Sequence, residues 1–335
     1  MVSKKQAEEI LLAVKKAKHI LLHLHPSPDW DSVGGVLAIQ QVLLDLGNKV
    51  TVIAGDSPLP TEFAVLPGFN RISEKTFFDL NLSDYDLFII LDSSDRDRIS
   101  RLAPVVWPKS LTTIVIDHHI SNPAFGDINL LDTNAPATCQ ILFELFDRWP
   151  IDLSPAVAIC LFVGLYGDTG GFRYSPTTGR TLAMAASLVD KYPDFSEILS
   201  DLSAQNTPGQ IKFRSLAYRQ VATLGRGLVG IIAIDHQDII NNGFTKTDAN
   251  NQDLANQLIS VKDWLVGISA VEKDSGKTLI SFRSRDSHRY NVAKVAARLA
   301  GGGHPAAAGA SFAGPASEAK VAIEKILLKL YPDLF

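Results

Sequence analysis

Up to about residue 190 the chain repeats one pattern: a short apolar run rich in β-branched residues, a turn carrying polar or charged residues, then a stretch with helical periodicity. The runs are His19–Leu24, Lys49–Ala54, Asp86–Leu91 and Thr112–Ile116. Their apolar positions do not alternate, which is how strands look when helices cover both faces of a parallel sheet. Ser32–Leu46 has the helical period, with Gly47 at its C-cap position. Pro155–Tyr166 and Thr178–Lys191 predict further helices, and residues 1–19 an amphipathic one.

Over 191–225 the pattern loosens into what reads as a linker with one or two short helices. A strand at Gly227–Ile234 and a helix near Asp248–Ser260 follow. Strands Val266–Lys273 and Thr278–Arg283 are joined by Asp274-Ser275-Gly276-Lys277, which has hairpin turn chemistry. Helices at Asn291–Leu299 and Ser317–Leu330 flank GGGHPAAAG at 301–309. The expectation is an α/β chain: a parallel-sheet domain over 1–190 with helices on both faces, a linker over 191–225, and a smaller α/β domain with a mixed sheet over 226–335.

At 335 residues, 46% of them apolar, the chain has material for two cores. A net charge of −4 argues against long duplex nucleic acid as a partner and leaves room for a local basic patch that grips a short strand. No run approaches the ~20 apolar residues of a membrane span, and no signal-peptide core follows the charged N-terminal stretch. Cys139 and Cys160 sit among apolar neighbours on predicted helices and read as core residues. A soluble, cytoplasmic protein is expected.

The acidic residues and histidines change the picture by where they fall. Four stretches of the first domain end an apolar run in them: HPSPDWD at 25–31, LDSSD at 91–95, IDHH at 116–119 and GLYGDTG at 164–170. In doubly wound sheets the carboxyl ends of the strands face one crevice, so the four endings are expected to converge. They offer His25, Asp29, Asp31, Asp92, Asp117, His118, His119 and Asp168. Carboxylates and imidazoles without cysteine suit a divalent ion such as Mn²⁺ or Mg²⁺ better than a structural zinc. The surplus of ligands fits two ions sharing a bridging carboxylate, an arrangement that commonly performs phosphoryl transfer. Singly, the residues have plainer readings: Asp29 and Asp31 suit a helix N-cap and a solvated turn, and His19 and His23 a strand or the surface. Their ordered recurrence at strand ends carries the metal reading.

The motifs H-x-x-x-D-x-D at 25–31, lone Asp92, D-H-H at 117–119 and the later Asp168, with Gly301-Gly302-Gly303-His304 and the small residues after it, resemble those of the DHH/DHHA1 phosphoesterase superfamily. The resemblance covers nearly the whole chain. Within the superfamily, the compact two-domain length is most similar to the nanoRNase and pAp-phosphatase branch, which hydrolyses very short oligonucleotides and 3′-phosphoadenosine 5′-phosphate. It implies two Mn²⁺ ions, replaceable by Mg²⁺ or another divalent ion. One would be held by His25, Asp29 and Asp92, the other by Asp31, Asp92, His118 and Asp168, with Asp92 bridging. It further implies that a hydroxide activated by both ions attacks phosphorus, that His119 touches the scissile phosphate, and that Asp117 supports the histidine pair.

In the second domain, Gly301, Gly302 and Gly303 are expected to expose backbone N–H groups as a phosphate cradle, with His304 as an added donor. Between 271 and 300, seven Lys/Arg stand against three acids. Of these, Arg283 and Arg285 are the candidate contacts to substrate phosphates and bases, while Arg289 and Arg298 read as solvated. His288 stays open. Trp30 is bulkier than the small residue expected between two motif aspartates, and packing under the metal loop is favoured over projection into a cleft.

The expected substrates are oligonucleotides of two to five residues, dinucleotides such as pGpG, or pAp, clamped between the domains. A homodimer is an open possibility. A RecJ-like single-strand exonuclease would bring extra nucleic-acid-binding domains, a membrane-bound cyclic-dinucleotide phosphodiesterase would bring spans, and a manganese pyrophosphatase a different second domain. A non-enzymatic nucleotide-binding regulatory module would have no reason to keep all eight Asp and His positions.

Overall fold

In the computed structural model, which describes all of residues 1–335 except Ser175, Gln205 and Gln252, the apolar runs of the N-terminal half become neighbouring strands. The chain divides into two units, residues 1–205 and 206–335. The first runs α1 (Lys4–Lys16), β1 (His19–His23), α2 (Trp30–Asp45), β2 (Lys49–Ile53), β3 (Ile72–Ser73), β4 (Leu87–Leu91), β5 (Thr112–Asp117), β6 (Ile128–Leu131), α3 (Thr138–Asp147), α4 (Pro155–Asp168), α5 (Gly179–Lys191) and α6 (Phe195–Ser203).

Among the described residues its strands form one six-stranded sheet, ordered β3-β2-β1-β4-β5-β6 and parallel throughout. Both faces are buried, which accounts for the unbroken apolar runs. Ile20, Leu22, Ile89, Leu91, Ile114 and Ile116 join the core shared with the α-helices. Leu21, Ile53, Phe88, Ile90 and Val115 face the opposite side, covered by Phe77, Ile99, Val105 and Leu111 from 3-10 turns and loops. Two strands carry too little pattern to be read from sequence: β3 has two residues, and β6 is a four-residue edge strand interrupted by Asn129.

The sheet order reverses between β1 and β4. In this topology the reversal opens a crevice at the carboxyl ends of the strands, where ligands bind. Helices α2 and α4 cross closely beside that point because small residues meet there. A Cβ on Gly34 would lie 2.4 Å from the Cys160 carbonyl oxygen, and one on Gly164 would lie 3.1 Å from Asp31 Cα. Cys160 of α4 and Cys139 of α3, whose Sγ lies against Gly164, are buried free thiols.

The second unit contains α7 (Pro208–Arg219), β7 (Val221–Leu224), β8 (Val229–Ile234), α8 (His236–Asn241), α9 (Leu254–Ile259), β9 (Val266–Asp274), β10 (Lys277–Ser284), α10 (Val292–Ala297), β11 (Gly302–His304), β12 (Ala307–Ala313) and α11 (Ala316–Leu330). Its sheet, ordered β11-β12-β10-β9-β8-β7, is mixed: β8 and β9 are parallel and the other pairs antiparallel. Ala316, Ala319, Ile323 and Leu327 of α11 belong to its main core.

The stretch 191–225 holds α6, α7 and β7, with Gln205 outside the described residues. The helix expected near Asp248–Ser260 is shorter, and its residue Gln252 is also outside the description. Asp248 instead closes a turn, its Oδ2 accepting from Thr245 N and Oγ1, the local bonding by which Asx residues compete with a helix. Among the described residues, no helix is long and apolar enough to cross a membrane.

Candidate metal centre

Each of the four chemistry-bearing stretches leaves its strand or helix at the same end of the first unit's sheet. His25 follows β1 and is buried; its Nδ1 bonds the Pro26 carbonyl at 3.1 Å, which directs Nε2 to the other side. That Nε2 has no hydrogen-bond partner among the described residues. A buried imidazole nitrogen without a partner costs free energy unless a cation meets it. Facing it are Asp92 Oδ2 at 3.3 Å and Asp29 Oδ2 at 3.6 Å.

Asp29 divides its carboxylate between two tasks. Oδ1 caps α2 by accepting from Ser32 N at 3.0 Å, and Oδ2 turns towards His25. The N-cap reading and the metal reading of this residue are therefore compatible.

Asp92 follows β4, is buried, and holds a φ of 49°. A non-glycine residue in the left-handed region is uncommon outside sites that need it. Here the turn aims the two carboxylate oxygens at different groups. Oδ2 faces His25, whereas Oδ1 lies 3.5 Å from His118 Nε2 and 3.6 Å from His119 Nδ1. His118 Nε2 also lies 3.4 Å from Asp168 Oδ2, at the end of α4, and His118 Nδ1 bonds the Ala135 carbonyl at 3.3 Å.

Within each of three groups the donor atoms lie within 4.8 Å of one another: His25, Asp29 and Asp92; Asp31, His118 and Asp168; Asp92, His118 and His119. Spacings of 3.3 to 3.6 Å between these imidazole and carboxylate atoms are long for hydrogen bonds. They are close to those between neighbouring ligands of one small cation with bonds of about 2.1 Å.

Asp117 ends β5, is fully buried, and points its oxygens at its own loop. Oδ1 accepts from His118 N at 2.8 Å and meets His119 Nδ1 at 2.7 Å; Oδ2 accepts from Asn122 Nδ2 at 2.7 Å. His119 Nε2 is left without a partner among the described residues. Asn122, which also donates to the Ser93 carbonyl, ties the β5 loop to the β4 loop, a role with no signal in the sequence.

The crowding shows in the proton affinities. Burial, reinforced by Asp31, Asp29 and Asp92, pushes Asp168 up to about 9. Burial and the charge on Asp92 raise Asp31 to about 6. Burial alone would lower both histidines, yet Asp29 and Asp92 lift His25 to about 9, and Asp92, Asp31 and Asp168 lift His118 to about 10. Burial works against the charge on Asp92, but the two imidazoles hold its carboxyl well below the usual carboxylate range. Protons and divalent cations are alternative solutions to this excess of buried carboxylate. The unpartnered His25 nitrogen and the all-oxygen-and-nitrogen donor set fit a divalent-metal site.

Trp30 packs rather than projecting. Its ring meets Phe63 edge-on at 6.1 Å and Tyr166 at 6.1 Å, and Gly167 lies against its Cβ.

In the second unit, Arg283 and His304 stand on either side of Ala307, the first across the β10–β12 ladder and the second across β11–β12. Arg283 gives Nε to Asn256 and Nη1 to the Phe282 carbonyl. Arg285 gives Nη2 to the carbonyls of Ile259 and Val261, where α9 ends. This is helix-end bonding that the sequence does not announce. Arg289 pairs with Asp333 at 2.6 Å. Gly302, Gly303 and His304 are exposed on the hairpin. Two of the glycines answer to that hairpin's tightness: a Cβ on Gly301 would lie 2.2 Å from the Gly309 carbonyl oxygen, and Gly303 has a φ of 137°.

Comparison with known proteins agrees with this division. The DHH family N-terminal domain matches residues 19–165, and the DHHA1 domain matches residues 236–330. A probable bifunctional oligoribonuclease and PAP phosphatase NrnA of Streptococcus mutans is 27% identical over 90% of this chain and 92% of its own. The bifunctional oligoribonuclease and PAP phosphatase NrnA of Bacillus subtilis is 25% identical over 91% of this chain and 92% of its own. Among solved structures, an exopolyphosphatase-related protein from Bacteroides fragilis superposes with a TM-score of 0.89 at 23% identity, over 100% of this chain and 98% of its own, a likeness of fold. With both domains matched in order and the His/Asp cluster assembled at the strand ends, the chain belongs to the DHH/DHHA1 family of phosphoesterases.

Proposed function

We propose that this phosphoesterase hydrolyses very short oligonucleotides, dinucleotides such as pGpG included, and 3′-phosphoadenosine 5′-phosphate, using two divalent cations, Mn²⁺ by preference. One observation carries the reading of two cations: Asp92 turns Oδ2 to the His25 and Asp29 group and Oδ1 to the His118 group. His25, Asp29 and Asp92 would hold one ion, and Asp31, Asp92, His118 and Asp168 the other. Bound there, such ions supply an acidified water nucleophile and neutralise charge developing on the phosphoryl oxygens.

The remaining residues position the substrate. Asp117 holds the His119 ring through Nδ1, which leaves Nε2 as the ring nitrogen available to a phosphoryl oxygen. In the second unit, the exposed Gly302–His304 segment of the hairpin, with the His304 side chain, is assigned to a further substrate phosphate; the Gly301 N–H is already given to the Ala296 carbonyl. Arg283 Nη2, which has no partner among the described residues, joins them. Arg285 keeps a place in the assignment only with the part of its guanidinium not bonded to α9. The substrate class is taken from the names of the relatives, which align along nine tenths of the chain.

The test is one Mn²⁺-supported panel: 5′-labelled RNA of two, five and twenty-four nucleotides, pAp, a cyclic dinucleotide and pyrophosphate. Fast cleavage of the two-mer with the twenty-four-mer spared, together with pAp turnover, is the expected result. Processive loss of the long strand, or turnover of the cyclic dinucleotide or pyrophosphate alone, would overturn the substrate assignment while keeping the phosphoesterase centre.

A further inference from the structure

Directly after Asp168 the chain makes a turn with three successive residues in the left-handed region: Gly170 at φ 58°, Gly171 at 67° and Phe172 at 65°. Glycine takes this conformation freely; a phenylalanine does not, so the surroundings must impose it. They do. Phe172 N donates to Thr169 Oγ1 at 3.0 Å, and the Phe172 ring packs against Phe162 and Tyr166, at 6.2 and 5.8 Å. Thr169 is fully buried and its hydroxyl donates to the Leu165 carbonyl at 2.7 Å. Its own carbonyl accepts from both Arg173 N and Tyr174 N, at 2.9 and 3.0 Å.

The turn is thus bonded to the last turn of α4, the helix that ends in Asp168. What it presents is an arginine and a tyrosine. Arg173 gives Nε to the Gly170 carbonyl at 2.6 Å, and its two terminal nitrogens have no partner among the described residues. The Tyr174 ring lies against Gly170, where a Cβ would come within 2.4 Å of Cζ, yet the residue remains 52% exposed. A guanidinium fixed at one nitrogen and a ring backed on one side are suited to a phosphate and a base. A locally strained backbone whose product is two exposed side chains directly following the helix that ends in Asp168 is poorly explained by packing alone.

We propose that Arg173 and Tyr174 form a nucleotide subsite beside the metal centre, with Tyr174 stacking on a base next to the scissile bond and Arg173 taking a phosphate that is not cleaved. The assignment rests on the nucleotide reading of the function. It deepens that reading by placing part of the specificity in the first unit.

The experiment compares an RNA dinucleotide carrying a 5′-phosphate with the same molecule lacking one base, for the wild type, Tyr174→Ala, Tyr174→Phe, Arg173→Ala and Arg173→Lys. Turnover with Mn²⁺ is measured alongside calorimetric binding of a phosphorothioate dinucleotide. The wild type is expected to prefer the intact dinucleotide by about tenfold or more. Tyr174→Ala should lose that preference and Tyr174→Phe keep it. Arg173→Ala should weaken phosphorothioate binding about tenfold, with Arg173→Lys in between. Unchanged preference in Tyr174→Ala and unchanged binding in Arg173→Ala, with wild-type turnover intact, would overturn the subsite and leave the proposed function standing. Absence of wild-type turnover would overturn the function, and the binding data would still decide the subsite. Both side chains lie on the turn's surface, so melting temperatures within a degree or so of wild type are expected for all four variants.

Discussion

Thr138 N–H donates to Asp31 Oδ2 at 2.6 Å across 107 residues of chain, and the next amide, Cys139 N–H, donates to Oδ1 at 2.9 Å. Asp31 therefore caps α3, whose own N-cap residue, Ala137, makes no side-chain hydrogen bond. The Thr138 hydroxyl also reaches Asp92 Oδ1 at 3.3 Å, so the start of one helix restrains two carboxylates of the centre.

The cap and the cation site can be separated by two substitutions of Asp31. Asn keeps one acceptor for the α3 amides and removes a charge that Asp92 repels; Ala removes the acceptor too. In EDTA, Asp31→Ala is expected to be about 1 kcal/mol less stable than Asp31→Asn by urea denaturation. Equal stabilities would show that α3 does not depend on this cap. Both variants should lose most of the stabilisation that Mn²⁺ gives the wild type.

Asp92→Asn is the matching test of the bridging position. Asn tolerates the left-handed conformation that Asp92 adopts at φ 49°, so far-UV circular dichroism should be unchanged. The rise in melting temperature on adding Mn²⁺ should disappear, and turnover should fall by at least ~100-fold. A variant that Mn²⁺ stabilises as strongly as it does the wild type would remove Asp92 from the centre.

Cation binding should depend on pH in a defined direction. His25 is raised to about 9, His118 to about 10 and Asp168 to about 9, so near neutral pH the cluster holds protons that a cation must displace. A raised proton affinity means stronger competition at low pH. Apparent Mg²⁺ affinity should climb from about pH 6 to pH 8, by up to about one log unit per pH unit for each proton released. Titration calorimetry in buffers of different ionisation enthalpy should report net proton release at pH 7. An affinity flat with pH would contradict this account of the cluster.

What could be read in the sequence follows from the range of the interactions involved. The strands β1, β2, β4 and β5 were legible because burial on both faces writes a continuous apolar run, and their polar endings were legible because a sheet of this kind gathers strand ends. Asp29 as a cap lay within three residues of its partner Ser32. The capping of α3 by Asp31, and the use of Arg285 to bond the end of α9, join positions that local patterns cannot connect. The same holds for Asn122, whose side chain bridges two loops. The turn at 170–172 left only its two glycines as a trace, since nothing local reveals that Phe172 shares their conformation.

Gly164 links the fold to the centre most directly. It lies on α4 four residues before Asp168, and a Cβ there would stand 2.3 Å from Cys139 Sγ and 3.0 Å from Asp31 Oδ1. None of these atoms has room to retreat: Cys139 and Asp31 are fully buried, and Asp31 is bonded to the α3 amides. Gly164→Ala should therefore cost about 1–3 kcal/mol despite the better helix propensity of alanine, because overpacking outweighs propensity at a helix crossing. It should also weaken Mn²⁺ binding by displacing Asp31. Cys139→Ala removes the sulfur that the new methyl would overlap, so the double variant should recover at least ~0.5 kcal/mol relative to the sum of the single changes. Strict additivity in this cycle would place the strain elsewhere than between Gly164 and Cys139.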